Sequence, residues 1–240
     1  MFPIRDHNPP SRIPYVTRLL IVVNIVIYIV TADWGGGQVR LWLEMSLYPL
    51  AISEGIYLWG LLTHMFLHGG LLHLAGNMLF LWVFGDNMED QMGRVGFLLF
   101  YLACGLAAAA AQIASDPYSM VPMVGASGAI AGVMGGYLLM FPKARVDVIA
   151  IVFFFIRRFT IPAWVMLLAW FGLQLVMGAA AGPDSGVAYW AHNGGFIAGI
   201  VLTIPLFLLR GGPRFWSVTH GHPPHAPVRY STSRIPRVRR

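Results

Sequence analysis

The chain has 240 residues, 57% of them hydrophobic and only 11% charged, with a mean hydropathy of +0.66. Soluble domains carry about 25% charged residues, so a soluble globular enzyme is excluded, as is a disordered chain. The formal charge of +6 does not indicate a nucleic-acid partner, because long apolar runs separate the cations. The single Cys104 allows neither an intramolecular disulfide nor a zinc-type cysteine cluster.

A helix needs about 20 apolar residues to cross a bilayer, and six such segments are predicted near 13–32, 66–85, 95–114, 124–142, 162–181 and 188–209. The first lacks a small-x-small cleavage site after it and reads as a retained helix, not a removed signal peptide. Residues 33–65 are half apolar but interrupted by Glu44, Pro49 and Glu54, which suits a long first outer loop in the membrane interface. The run Val148 to Ile156 lies between Asp147 and Arg157, too short to span, and is predicted to be an interfacial or buried strand-like piece. Residues 211–240, rich in Pro, Arg and Ser, read as a disordered basic cytoplasmic tail. Its His220, His222 and His225 have no neighbours that fix a coordination geometry, so no metal site is expected.

Six crossings put both termini on one side, and the cations then test the topology. With the termini cytoplasmic, fifteen of the sixteen Lys and Arg fall inside and only Arg40 outside. The expected fold is therefore an all-α polytopic membrane protein, with a short cytoplasmic segment over 1–12, a six-helix domain over 13–210 and the tail over 211–240.

Polar groups within apolar spans are functional candidates by default. The second span holds His68, His73 and Asn77, the fourth opens on Gly125-Ala126-Ser127-Gly128, and the sixth on Ala191-His192-Asn193-Gly194-Gly195. All three clusters sit at the starts of even-numbered spans, which share a side of the membrane, here the outer one. At 1.5 Å rise per residue each lies within roughly 10 Å of its helix start, so the three can converge at one depth. His73 and Asn77 share a helix face. Gly128, Gly132 and Gly136 form a ladder on the fourth span, and Gly195 and Gly199 share a face with His192. Small residues at this spacing bring helix backbones close, as a hydrogen bond between Ser127 and His192 would require. Taken singly, a serine in a membrane helix usually bonds its own backbone and a glycine ladder usually serves packing. The conjunction at matched depth is what points to chemistry.

With these elements in this order, the chain resembles the rhomboid family of intramembrane serine proteases, in its bacterial six-helix form. The matching residues are His68, His73-x-x-x-Asn77, the Gly125 to Gly128 box, Ala191-His192-x-Gly194-Gly195, and Gly85 with the stretch Glu89 to Gly93. The resemblance implies a six-helix rhomboid-like bundle and a serine endopeptidase that needs no cofactor or metal. Ser127 would be its nucleophile and His192 its general base. Asn77, His73 and the backbone at Ala126 and Ser127 would supply the oxyanion hole, with His68, Gly125, Gly128, Gly195 and Gly199 in supporting structural roles. The implied partners are the lipid bilayer and single-pass transmembrane substrates, cut near the outer face of a bacterial inner membrane. The chain departs from the family pattern at Gly60, which follows Trp59 where many members carry arginine, and at Ala131, where many carry an aromatic one turn after the serine. No carboxylate is expected beside His192, since Asp116 and Asp184 fall in outer loops. The alternatives are a catalytically silent relative that binds transmembrane clients, and a small transporter using His68 and His73 as a proton relay. The retained serine and histidine oppose the first, and the absence of charge near mid-bilayer opposes the second.

Overall fold

The computed structural model describes residues 2–32, 39–152, 155–180 and 186–224. Asp33, Asp184, His225 and most of the tail lie outside these residues. The first strand is β1 (Phe2–Asp6), followed by α1 (Tyr15–Thr31). Three short helices, α2 (Val39–Met45), α3 (Pro49–Ser53) and α4 (Gly60–Thr63), lead to a single 3-10 turn at His64–Phe66. There follow α5 (Leu71–Ser115), α6 (Ser127–Met140), β2 (Arg145–Val152), β3 (Phe155–Pro162), α7 (Ala163–Ala180), α8 (Tyr189–Leu209) and α9 (Pro213–Thr219).

Each of the six predicted apolar segments falls on a helix, the second and third both on α5. Gly93 adopts φ 72° and ψ 169° within α5 and breaks it into two helices; only a residue without Cβ enters that region freely. By length and composition, α5, α7 and α8 qualify to cross a membrane, while α1 and α6 are shorter apolar helices. α5 starts at Leu71, so His68 precedes it instead of lying within a span.

The expectation of an all-α fold needs correction. The chain is mostly helical, but β1, β2 and β3 form an antiparallel sheet in that order. β2 pairs with β3 from Arg145↔Pro162 to Val152↔Phe155, so the run too short to cross the membrane becomes a hairpin. β1 adds to its free edge through Arg5↔Asp147 and Asp6↔Val146, so the N-terminal segment is built into the fold. Asp147 ties the three strands together, accepting from His7 (2.9 Å), Thr160 and Arg158. Burial pushes its carboxyl up, but these donors outweigh burial and hold it below its ordinary range.

The tail reading also changes. The fragment Pro213–Thr219 is helical, with Phe215 buried and Trp216 donating its indole N–H to the Leu139 carbonyl at 2.9 Å. Two aromatic anchors thus fasten the beginning of a polar, Pro-rich segment to the end of α6.

Glu89 locks α1 to α5. Pro14 at the start of α1 offers no side-chain cap, and Glu89 accepts instead from the Val16 N–H (3.0 Å), the Thr17 N–H (2.8 Å) and the Thr17 hydroxyl (2.8 Å). A carboxylate suits the positive end of a helix. Gly85, one turn earlier, permits this approach, since a Cβ there would stand 2.9 Å from Thr17 Cγ2.

α6 is the centre of the bundle, buried on every face, with α5 and α8 against it. The glycines lie at the α6–α8 crossing. A Cβ on Gly195 would collide with the Gly128 carbonyl, and one on Gly199 with the Gly132 carbonyl. From α5, Ala108 fills the space beside Gly128 and Cys104 that beside Gly132.

At the far end of α6 from Ser127, Asn87 donates to Asp6 (2.9 Å) and the Asn8 carbonyl (3.0 Å), while the Tyr137 hydroxyl lies 3.4 Å from Asp6. Burial raises the Asp6 carboxyl from 3.8 to about 6, against these hydrogen bonds. A carboxyl raised by folding adds stability below its unfolded pKa and loses it as pH rises through the folded one. The thermal midpoint of Asp6→Asn should therefore gain on wild type as pH rises from 4.5 to 7.5. A gap that is constant or narrows with pH would contradict this assignment.

Candidate functional site

Ser127 is the first residue of α6, and Gly125 makes its placement workable. Gly125 has φ +126°, a conformation side chains avoid, and its N–H donates to the His64 carbonyl at 2.9 Å. A Cβ there would stand 2.9 Å from both Cε1 and Nε2 of His73 and 3.5 Å from Ser127 Oγ. The chain thus turns into α6 at the one point where the His73 ring and the serine hydroxyl both need room. Upstream, Met123 and Leu47 exchange backbone hydrogen bonds (2.8 and 3.2 Å), tying this turn to the long first loop.

That loop closes without the family arginine. Trp59 donates its indole N–H to the Glu44 carbonyl (3.0 Å), and Thr63 its hydroxyl to the Met45 carbonyl (2.6 Å). Gly60 packs directly on the backbone of Ser46, whose carbonyl oxygen a Cβ would meet at 2.9 Å. His64, a residue the sequence reading passed over, donates from Nδ1 to the Gly60 carbonyl at 2.7 Å. Burial pushes its pKa down to about 4, so it is neutral at physiological pH.

The close packing of α6 and α8 brings His192 Nε2 to 2.8 Å from Ser127 Oγ. The other ring nitrogen, Nδ1, lies 2.8 Å from Gln174 Oε1 on α7. A neutral imidazole has one donor and one acceptor nitrogen. The amide oxygen can only accept, so the hydrogen resides on Nδ1 and Nε2 offers its lone pair to the serine hydroxyl. The Trp170 ring lies 5.7 Å from that of His192, tilted by 38°. It flanks the histidine from α7. The start of α8 is held in turn by Gln112 of α5, which accepts from the Ala191 N–H at 3.2 Å.

Ser127 and His192 line a cavity of about 770 Å³ together with His73, Asn77, Gly125 and Trp170. Asn77 is buried, and its Nδ2 finds no acceptor among the described residues, leaving an amide donor in that cavity wall. Ala126 is the cap residue immediately before α6, also buried. Gly128 lines the cavity, whereas Gly195 and Gly199 lie below it at the α6–α8 crossing. A second cavity of about 530 Å³ shares His73, Met123 and Val187 with the first and extends to Asp116.

His68 lies just before α5 and makes no hydrogen bond to the serine. It is buried, its ring 5.2 Å from that of His73, and its carbonyl accepts the Trp42 indole N–H at 3.2 Å. Sequence reasoning missed Gln174 and Gln112 because both lie away from the three polar clusters at the helix starts. A signal for Gln174 was present: apart from two indoles, it is the only hydrogen-bonding side chain in α7. Among the described residues no group of His, Cys, Asp and Glu could hold a metal ion.

A family model described as the Rhomboid domain matches residues 56–209. "Rhomboid protease GluP" of Bacillus subtilis (strain 168) is 45% identical over 87 residues, 36% of this chain and 16% of that protein. "Rhomboid protease GlpG" of Yersinia enterocolitica is 28% identical over 186 residues, 78% of this chain and 60% of that protein. The human "Presenilin-associated rhomboid-like protein, mitochondrial" is 29% identical over 169 residues, 68% of this chain and 38% of that protein. The chain thus spans less than two thirds of the length of each.

The geometry at the entry to α6 makes a direct prediction. Gly125→Ala combines a disfavoured φ with a methyl group against the His73 ring, and should destabilise the protein by about 1–3 kcal/mol. The measurement is the thermal midpoint in detergent; an unchanged midpoint would refute the assignment of Gly125 as a required glycine.

Proposed function

The chain belongs to the rhomboid family, and from that premise we propose that it is an intramembrane serine endopeptidase. The observation that carries the reading is the 2.8 Å contact between Ser127 Oγ and His192 Nε2, at a helix N-terminus within a cavity. Membership of the family and the apolar helices make it an integral membrane protein. The finer topology is part of the proposal: six crossings, both termini cytoplasmic, in a bacterial inner membrane, supported by the fifteen-to-one division of cations.

In this reading Ser127 Oγ attacks the scissile carbonyl carbon while its proton passes to His192 Nε2. The tetrahedral oxyanion meets the unpaired N–H groups and positive dipole end of α6 at Ser127 and Ala126, with Asn77 Nδ2 and the His73 ring as side-chain donors. His192 then gives its proton to the leaving amine nitrogen, releasing one fragment and leaving an acyl-Ser127 ester. Water attacks that ester, again with His192 as base, and restores the serine. Tyr189, Gln112 and Asp116 around the second cavity form a polar route by which water and the outer part of a substrate reach the serine.

The substrate class follows from the surroundings. A peptide bond inside a helix is shielded by its own hydrogen bonds, so a segment with Gly, Pro or polar residues that unwinds easily is the one to be cut. Leu72, Gly76 and Phe80 of α5 line the same cavity as Trp170 of α7, and α7 touches the bundle through α8 and α6 more than through α5. A single-pass transmembrane substrate would enter sideways between α5 and α7.

Cleavage of a single-pass substrate by the purified protein in proteoliposomes tests the activity. Wild type should cut; Ser127→Ala and His192→Ala should not, and Asn77→Ala should slow cleavage by about 10²–10³-fold. Cleavage by Ser127→Ala would refute the reading. A disulfide linking α5 to α7 across the cavity should abolish cleavage of the membrane substrate and restore it on reduction. Unimpaired cleavage with the disulfide formed would reject entry at that side.

A further inference from the structure

A base in an apolar bundle needs something to fix its ring and its tautomer. Where a soluble triad uses a carboxylate, removal of the correct hydrogen-bond acceptor costs on the order of 10⁴ in rate. None of the described carboxylates bonds His192: Asp6, Asp86, Glu89, Asp90 and Asp147 cluster toward the opposite end of α6, Glu44 pairs with Arg40, and Glu54 and Asp116 stand at the ends of α3 and α5. The place of the carboxylate is taken by Gln174, buried on α7 and 2.8 Å from Nδ1.

We infer that Gln174 is the positioning residue of the base: its amide oxygen holds the hydrogen on Nδ1 and aims the Nε2 lone pair at Ser127. This rests on the serine endopeptidase reading above. An amide suits the location better than an acid does. An ionised carboxylate within an apolar span carries a large desolvation penalty, whereas an amide gives the same directional acceptor without charge. It orients the imidazole but offers no counter-charge to the imidazolium.

Three further contacts show that the arrangement is built. Phe171, adjacent to Trp170, stacks on Phe196 of α8 with ring centroids 4.6 Å apart. Gly178, one turn beyond Gln174, lets α7 approach Tyr189, whose Cβ would lie 3.2 Å from an added Cβ. With Trp170 beside the ring, these contacts set the face of α7 against α8 at the height of His192. The base is therefore aimed only while α7 is seated, and an α7 displaced to admit substrate takes Gln174 off the ring until it returns.

The test is the second-order rate of labelling by a fluorophosphonate as a function of pH, on the full chain in detergent, with thermal midpoints measured in parallel. α7 carries no titratable side chain, and the titratable group facing His192 among the described residues is His73 of α5, which is unchanged in every variant. Gln174→Leu, matched in size, should keep its thermal midpoint but lose on the order of 10²-fold in limiting rate. Gln174→Glu, an isostere, should stay within about tenfold of wild type, with the pH of half-maximal rate moved upward by a unit or more, because a carboxylate beside the ring favours its protonated form. A purely structural glutamine would leave that pH unmoved. Labelling of Gln174→Leu at the wild-type rate, or a Gln174→Glu profile coincident with wild type, overturns the inference. If Gln174→Leu does not fold, the Gln174→Glu profile decides alone. A wild-type chain that takes no label at any pH overturns the endopeptidase reading itself, and this inference with it.

Discussion

The structure depends on one close contact, the crossing of α6 and α8. Helices ordinarily pack with axes 8–10 Å apart, separated by their side chains. Here Gly195 lies on the Gly128 carbonyl and Gly199 on the Gly132 carbonyl, so the two backbones touch. A serine side chain is short, and only such an approach brings its oxygen within 2.8 Å of a histidine on another helix. The constraint extends outward. Ala108 and Cys104 are small because they fill the remaining space beside Gly128 and Gly132, and α6 tolerates little bulk at its crossing because it is enclosed on every face.

A second theme is how helix ends are satisfied in an apolar bundle. Neither α1 nor α8 carries a side-chain cap of its own. Glu89 of α5 serves the first turn of α1, and Gln112 of the same α5 serves that of α8. The charged version lies toward the sheet and its carboxylates, the neutral version near the serine. The same division separates Asp147, surrounded by three donors in the sheet, from Gln174, a lone amide beside His192. The groups that hydrogen-bond the His192 ring are uncharged.

The candidate site was largely legible in the sequence because polar side chains are rare within apolar helices. His73, Asn77, Ser127 and His192 stood out for that reason, and the glycine spacing indicated which helices must touch. Gln174 stands alone within α7, away from the clusters at the helix starts, so a search for converging clusters passed over it, although its isolation set it apart. The aromatic that many relatives carry is missing at Ala131, and Trp170 flanks the His192 ring from a different helix, a contact that spacing along one helix cannot reveal. β1 was missed because five residues without alternation gain their strand character only from the edge of β2. The α9 helix was hidden by the Pro, Gly and His around it, while its order comes from two aromatics, Phe215 and Trp216, that find sites on α6 and α8.

The central claim is that His192 makes Ser127 a nucleophile within the bundle. Its most direct test is the intact mass of the detergent-solubilised protein after exposure to a fluorophosphonate, with the adduct located by peptide mapping. The account predicts one phosphonyl group, on Ser127, absent from Ser127→Ala and strongly reduced in His192→Ala. No adduct on the wild-type chain, or an adduct that persists in Ser127→Ala, would contradict it.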